Sequence, residues 1–171
     1  MYVWKKLEEK DFINYFNKMC NDFPYEERRD CEKQKRLLSN ENYNWYIVKD
    51  ETGECAYLTY WEYDDFVFVE HFAIEKNKRG KGHGSLVLQE FIKSIDKKII
   101  LEVELPTDEY KIKRINFYRR VGFAYNDAEY RQPSYHGENS VPLSLMSYPN
   151  KLKCQQIKDF VRLTKSTAYL N

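Results

Sequence analysis

The chain has 171 residues, with 28 lysines and arginines against 27 aspartates and glutamates, and a formal net charge of +1. A chain of this length can bury a core that is stable without disulfides or metals. The balanced charge gives no indication of nucleic acid or of an anionic membrane as the main partner. The longest apolar runs, such as residues 66–69, are far too short to cross a bilayer. Residues 1–10 carry charges where a signal peptide needs an apolar stretch, so we expect a cytoplasmic protein.

The residues that most often bind metals are spread along the chain. They are four cysteines and three histidines: Cys20, Cys31, Cys55, Cys154, His71, His83 and His136. No C-x-x-C pair occurs, and the histidines lack the spacing of metal ligands. We therefore predict free, reduced thiols and no structural zinc site.

Hydrophobic periodicity and turn residues predict one α/β domain, with no internal repeat or linker. The domain covers residues 1–150, and residues 151–171 form a C-terminal helical extension of it. The predicted elements follow in chain order: two helices around a loop in 4–38, a strand hairpin of 43–48 and 55–61, a strand at 66–74, a helix at 84–95, a strand at 99–105, a helix at 111–121, strands at 123–131 and 141–146, and a final helix at 151–163. Residues 66–105 thus form a β-α-β unit with a glycine-rich turn.

The glycine-rich turn, residues 78–85, has the sequence Lys-Arg-Gly-Lys-Gly-His-Gly-Ser. Gly80, Gly82 and Gly84 let the backbone approach a ligand closely, and the helix that follows offers unpaired N–H groups and the positive end of its dipole. Arg79 and Lys81 add positive charge. The pattern predicts a pyrophosphate-binding site, and the alternative is a surface turn that uses glycine only for its backbone freedom.

The spacing of the glycines separates the possible pyrophosphate ligands. A P-loop needs Gly-Lys followed by Ser or Thr, but Gly82 follows Lys81, so ATP is disfavoured. The dinucleotide fingerprint G-x-G-x-x-G fails by one position. Glu102 and Glu104 do lie about twenty residues downstream, where a ribose partner is expected, so NAD stays a weaker alternative.

Two motifs resemble the GNAT superfamily of N-acetyltransferases. Arg79, Gly82 and Gly84 match the family's coenzyme-binding pattern, and residues 116–123, Asn-Phe-Tyr-Arg-Arg-Val-Gly-Phe, are similar to its second signature. The resemblance implies an α/β fold in which a mixed, centrally splayed sheet is flanked by helices on both faces. It implies an enzyme that transfers the acetyl group of acetyl-CoA, a co-substrate, to a primary amine by direct attack in a ternary complex.

The resemblance also implies which residues bind the coenzyme. The backbone of the strand before the turn would pair with the pantetheine arm, and the turn amides would bind the diphosphate. Many relatives place an asparagine where Lys111 stands, so Asn116 is expected to replace it. The implied coenzyme-binding residues are Phe72, Ala73, Ile74, Arg79, Gly80, Lys81, Gly82, His83, Gly84, Ser85 and Asn116. No metal is expected.

Tyr118 stands at the position of the family's usual acid, which would protonate the departing thiolate. The alternative is a core tyrosine on a helix face. Glu70 is the candidate base because it stands in an otherwise apolar strand, where alternation would place it beside Phe68 and Phe72 and raise its pKa. The alternative is a carboxylate held structurally by arginine or backbone groups. His71 is predicted to face the other way and to be structural.

Glu102 and Glu104 share a face of the next strand and are the reserve candidates for the base, while Leu101 and Val103 are predicted to lie in the core. The acceptor is an amine of a small molecule or a protein, and neither nucleic acid, a membrane nor a particular oligomer beyond monomer or homodimer is indicated. A non-catalytic acyl-CoA sensor or partner subunit on the same fold remains the alternative function.

Residues 23–27 and 135–138 combine aromatic rings with carboxylates, which suits a cationic amine. The alternative is an ordinary solvated face in which Arg28 and Arg29 neutralise Glu26 and Glu27.

Overall fold

The computed structural model describes residues 1–137 and 139–170. These residues form two compact units, residues 1–97 and the residues from 98 onward. The strands and α-helices are β1 (Val3–Lys6), α1 (Phe12–Asp22), α2 (Cys31–Arg36), β2 (Tyr43–Asp50), β3 (Gly53–Glu62), β4 (Phe66–Ile74), α3 (His83–Ser94), β5 (Lys98–Glu104), α4 (Glu109–Val121), β6 (Ala124–Gln132), β7 (Val141–Tyr148) and α5 (Cys154–Ser166). Within the described ranges, no helix has both the length and the apolar composition needed to cross a bilayer.

The first unit contains an antiparallel sheet in the order β1, β2, β3, β4. The predicted hairpin is confirmed: β2 and β3 meet at Asp50 and Gly53, and Gly53 has a φ of +119°, a conformation that favours glycine. The Asp50 carboxylate accepts hydrogen bonds from the backbone and hydroxyl of Thr52 at 2.8 and 2.7 Å, which fixes the turn.

Helix α1 covers this sheet with one apolar face. Phe12, Tyr15, Phe16 and Met19 recur at helical spacing, and all four are buried. The ring of Phe12 packs edge-on against Trp45 of β2, with centroids 6.1 Å apart. The helix ends at Asp22, as Pro24 predicts.

Strand β1 corrects the prediction of helix and loop for residues 4–38. Trp4 pairs with Val48 of β2, and Lys5 and Lys6 continue the ladder. A four-residue segment with two lysines has no periodicity of its own that indicates a strand. Its conformation comes from pairing with β2, which local sequence does not reveal.

The second unit contains an antiparallel sheet in the order β5, β7, β6. Helix α4 begins at the Asp108 cap, whose carboxylate accepts from the Lys111 backbone at 2.9 Å, and it ends at Gly122, which has a φ of +108°. Helix α5 belongs to the same unit and buries Phe160 and Thr164. The domain boundary at residue 150 stays a prediction.

Candidate functional site

The glycine-rich turn connects β4 to α3, and its backbone conformation depends on glycine. Gly80 and Gly82 have φ values of +74° and +82°. Backbone conformation rather than crowding requires glycine there, since no atom lies within 4 Å of an added Cβ. The hydrogen bonds of the helix cap begin at Ser85 and Leu86, whose amides both donate to the Gly82 carbonyl, at 3.1 and 3.3 Å. No backbone amide of residues 80–84 donates a hydrogen bond within the described chain, so these donors remain for an anion.

The two basic side chains of the turn bind the protein itself. Arg79 donates to the Ile74 carbonyl at 2.8 Å and to the Asp22 carboxylate at 2.6 Å, while Lys81 donates to the Asn77 carbonyl at 2.9 Å. Arg79 therefore ties the end of β4 to the end of α1. Any anion at the turn would depend first on the backbone amides and the helix N-terminus.

The end of β4 is held on one edge by β3, with Phe72 opposite Leu58 and Ile74 opposite Ala56. The side chains of Phe72 and Ile74 pack against a buried cluster that includes Cys55. The role of Phe72, Ala73 and Ile74 as main-chain partners of pantetheine stays a prediction.

A β-bulge interrupts β4 at Glu70. Thr59 of β3 pairs with His71, but its neighbour Tyr60 pairs with Val69, which leaves Glu70 as the extra residue. A bulge shifts the alternation of side chains along a strand. The prediction that Glu70 shares one face with both Phe68 and Phe72 is therefore wrong. Bulges are common next to active sites because they redirect a side chain.

The Glu70 side chain is fully buried, with 0% of its surface exposed, and it pairs with Arg29, which is 5% exposed. The guanidinium makes two bonds, at 3.0 and 2.7 Å, and the Trp61 indole donates at 3.3 Å. A bidentate bond from a guanidinium favours the ionised form of the carboxylate. The geometry supports the alternative of a carboxylate held by arginine, and the base role stays a prediction.

His71 is buried and both ring nitrogens have partners. Nε2 lies 2.8 Å from the Glu27 carbonyl and Nδ1 lies 3.1 Å from the Thr59 hydroxyl. Burial lowers the pKa of His71. A neutral ring that donates from Nε2 and accepts at Nδ1 satisfies both contacts, which is a structural arrangement.

In the second unit, Tyr118 lies on α4 between two rings. Its centroid is 5.1 Å from Phe117 and 5.7 Å from Phe123, in both cases edge-on. Burial raises the pKa of Tyr118 to about 12, and Arg114 acts in the opposite direction. The phenol therefore stays protonated at neutral pH, as an acid must. Its hydroxyl has no hydrogen-bond partner among residues 1–137 and 139–170.

Asn116, the predicted substitute for the family's asparagine, accepts only a long hydrogen bond of 3.4 Å from Arg119. Lys111 donates to the Thr107 hydroxyl at 3.0 Å and pairs with Asp108 at 3.2 Å. Asn116 therefore keeps donor and acceptor capacity for a ligand.

The two reserve carboxylates differ in their partners. Glu104 is paired with the Arg114 guanidinium at 3.2 Å. Glu102 accepts from the Tyr130 hydroxyl, from the Gln132 amide at 2.6 Å and from the Tyr169 hydroxyl at 2.7 Å. Burial and the Glu102 charge raise the pKa of Tyr130.

Sequence reasoning missed this cluster around Glu102. Tyr130 and Gln132 are two residues apart on β6 and so share a face, which is a signal that strand alternation could have supplied. Tyr169 lies beyond the last helix, and its contact with a strand 67 residues away has no local signal.

The predicted acceptor segments have different exposure. Tyr25 is 49% exposed, and the Arg28 guanidinium lies 5.8 Å from its ring centroid. Tyr135 is only 2% exposed and packs on Tyr169 at 4.9 Å. Glu138 lies outside the described residues.

Comparisons with known proteins identify the family. The model of the acetyltransferase (GNAT) domain matches residues 41–125. A solved structure described as "Putative acetyltransferase from GNAT family from Bacteroides thetaiotaomicron" is 30% identical, with 98% of each chain covered and a TM-score of 0.88. The chain belongs to the GNAT acetyltransferase family, and the predicted fold class is confirmed.

Other relatives are more distant or match over a shorter length. "Putative acetyltransferase YjbC" of Bacillus subtilis (strain 168) is 34% identical over 116 residues, which are 66% of this chain and 58% of that protein. The chain thus spans little more than half of that relative. A spermidine N-acetyltransferase mutant from Vibrio cholerae is 14% identical, with a TM-score of 0.64 over 85% of this chain and 92% of that one. The Escherichia coli ribosomal-protein-S18-alanine N-acetyltransferase is 17% identical, with a TM-score of 0.63 over 90% and 96%. At these identities the likeness concerns the fold.

Proposed function

We infer that this protein transfers the acetyl group of acetyl-CoA to a primary amine by direct attack in a ternary complex. The observation that carries this proposal is the turn at residues 80–84, whose amides have no acceptor within the described chain and precede a helix N-terminus. A diphosphate is the group of acetyl-CoA that suits such donors. The residues 79–85 would bind it, with the backbone of residues 72–74 and Asn116 as further coenzyme contacts.

Tyr118 is the proposed acid. The amine must lose a proton before its nitrogen attacks the thioester carbon, and the C–S bond then breaks to release a thiolate. The Tyr118 hydroxyl would donate its proton to that sulfur, since it is protonated at neutral pH and lacks a partner among the described residues. Glu70 stays the proposed proton acceptor, and its ion pair with Arg29 makes a separate test of that role necessary.

A cationic amine is the proposed acceptor. The aromatic and acidic residues at 23–27 support it. Arg29, which the alternative pairs with Glu26 or Glu27, makes a bidentate pair with Glu70. Spermidine and a ribosomal-protein alanine, named as substrates of proteins with this fold, both carry amines. Arg28 already lies over Tyr25, so a bound ammonium would have to share or displace it.

The proposal is tested with a panel of amines, comprising spermidine, lysine, an aminoglycoside and a peptide with a free N-terminus. Purified protein that binds acetyl-CoA is mixed with each amine, and release of the free thiol is followed. We expect amine-dependent thiol release with at least one member. Acetyl-CoA binding without thiol release for any amine would favour the acyl-CoA sensor instead.

Two variants then separate the proposed roles of the carboxylates. Glu70→Gln should lower kcat and remove the basic-form dependence of the rate on pH, if Glu70 accepts the proton. Glu26→Gln combined with Glu27→Gln should mainly raise the KM of the acceptor. Unchanged kinetics in the double variant would place the acceptor elsewhere, and an unchanged pH profile in Glu70→Gln would assign Glu70 to the fold alone.

A further inference from the structure

Three potential metal ligands meet within the first unit, beside the glycine-rich turn. Asp50 ends β2, Cys55 lies on β3 and His83 begins α3. The β2–β3 hairpin brings the first two together, and the end of the turn adds the third. One ligand atom from each residue lies within 4.8 Å of the other two.

The chemistry of these three groups is that of a zinc ligand set. Zinc in proteins takes thiolate, imidazole and carboxylate ligands, and its tetrahedral bond lengths of about 2.0–2.3 Å place ligand atoms roughly 3.3–3.8 Å apart. The His83 Nδ1 atom is 3.9 Å from Asp50 Oδ2, which is close to that range. Small side-chain rotations would therefore complete three corners of a tetrahedron.

The surroundings of the cluster are suited to a partly enclosed site. Cys55 is fully buried, while the side chains of Asp50 and His83 are 15% and 25% exposed. The Tyr2 hydroxyl lies 2.8 Å from His83 Nδ1. Water or this hydroxyl could supply the fourth ligand after Nδ1 is released to a metal.

The Lys78 ammonium already binds one of the three ligand groups. The Lys78 ammonium pairs with the Asp50 carboxylate and also donates to the Thr52 hydroxyl. A metal ion would compete with this ammonium for the same carboxylate oxygen. Lys78 is thus expected to weaken metal binding. Removing its ammonium should strengthen the binding, an effect that a purely structural cluster would not show.

We propose that Asp50, Cys55 and His83 bind a thiophilic divalent cation of the zinc type. The site goes beyond the proposed acetyl transfer and supplies none of its steps. The sequence predicted no zinc site because its ligands are separated by turns of the sheet and by the whole of β4. Only the fold shows that they are neighbours.

Cobalt(II), added to chelator-treated protein, is the probe. A thiolate ligand produces a strong sulfur-to-cobalt charge-transfer band, and displacement by zinc removes it. We expect one equivalent of cobalt to bind with this band.

Cys55→Ala should abolish the band, and His83→Gln should weaken binding about tenfold or more. Cys154→Ala removes an exposed thiol and is the matched control, which should bind as the wild type does. Lys78→Met should tighten binding.

The proposal is overturned if no thiolate band forms, if the band survives in Cys55→Ala, or if it disappears in Cys154→Ala. If Cys55→Ala does not fold, the variants His83→Gln and Lys78→Met at the partly exposed positions test the site instead. Equal cobalt affinity in the wild type, His83→Gln and Lys78→Met would contradict the site.

Discussion

The Glu70–Arg29 pair and the glycine-rich turn lie within one unit, yet they differ in whether their polar groups are satisfied. The pair is buried, and each partner bonds the other twice. The turn keeps the amides of residues 80–84 without acceptors in the described chain. A satisfied polar group mainly holds a fold, because binding a ligand would first break its bonds, whereas an unsatisfied one gains on binding. The Tyr118 hydroxyl of the second unit resembles the turn in this respect.

The largest expected effect comes from breaking the buried pair. Arg29→Met removes the bidentate partner of a buried carboxylate and should lower the free energy of unfolding by about 3–5 kcal/mol. Urea unfolding measures it. Arg29→Met combined with Glu70→Leu should recover most of the loss, since both charges are gone. Lys151→Met breaks an exposed pair with Asp127 and should leave stability nearly unchanged, because water and salt screen exposed ion pairs. A loss in Arg29→Met no larger than in this control would show that the pair does not hold the fold.

Tyr118→Phe is expected to lower kcat by about 10²-fold while the affinity for acetyl-CoA changes little. Only the hydroxyl is removed, and the rings of Phe117 and Phe123 keep their packing. Steady-state kinetics and a binding titration measure the two quantities separately. Normal turnover would make Tyr118 a core residue.

The open turn predicts a coenzyme-dependent rise in melting temperature. At a hundredfold excess over its Kd, acetyl-CoA should stabilise the protein by about 2.7 kcal/mol, which is several degrees in a domain of this size. Gly84→Asp should remove the shift by placing a carboxylate near the bound diphosphate. Gly84→Asn has nearly the same size without the charge and should keep more of the shift. NAD should produce none, and a normal shift in Gly84→Asp would exclude the turn from the site.

The smallest effect concerns His71 and pH. Its pKa is lowered in the fold, so between the folded pKa and the unfolded value of about 6.5 the unfolded chain binds more protons. The stability that the neutral ring contributes is therefore present above that unfolded value and is lost as the pH falls below it. Melting curves from pH 8 to pH 5 should show this loss, and His71→Gln should flatten it. An equal slope in the variant would assign the loss to other groups.

Local sequence signals were sufficient for much of the fold. Turn residues at 50–54 and runs of β-favouring residues predicted β2, β3 and β4, because hairpins and short strands are formed by near neighbours. β1 was missed because its conformation depends on pairing with β2, 40 or more positions away in the chain. The bulge at Glu70 was missed for the same reason: one extra residue in β4 becomes visible only against the register of β3.

The candidate site was predictable in its local backbone at residues 79–85, where Gly80 and Gly82 have positive φ values and a helix begins at His83. It was not predictable where a side chain meets a distant partner. Arg29 lies 41 positions from Glu70, and Tyr169 lies 67 from Glu102. These contacts determine which partners hold each carboxylate in place. Nothing in the neighbouring sequence indicates them.

The most direct test of the account follows the acetyl group itself. Protein is incubated with an active amine and acetyl-CoA whose acetyl group carries a heavy isotope, and mass spectrometry locates the label while the free thiol is counted. We predict that the label appears on the amine, with one thiol released for each acetyl group transferred and none of the label held by the protein. Label on the protein before it reaches the amine would contradict direct attack, and coenzyme binding with no labelled amine would contradict the transfer itself.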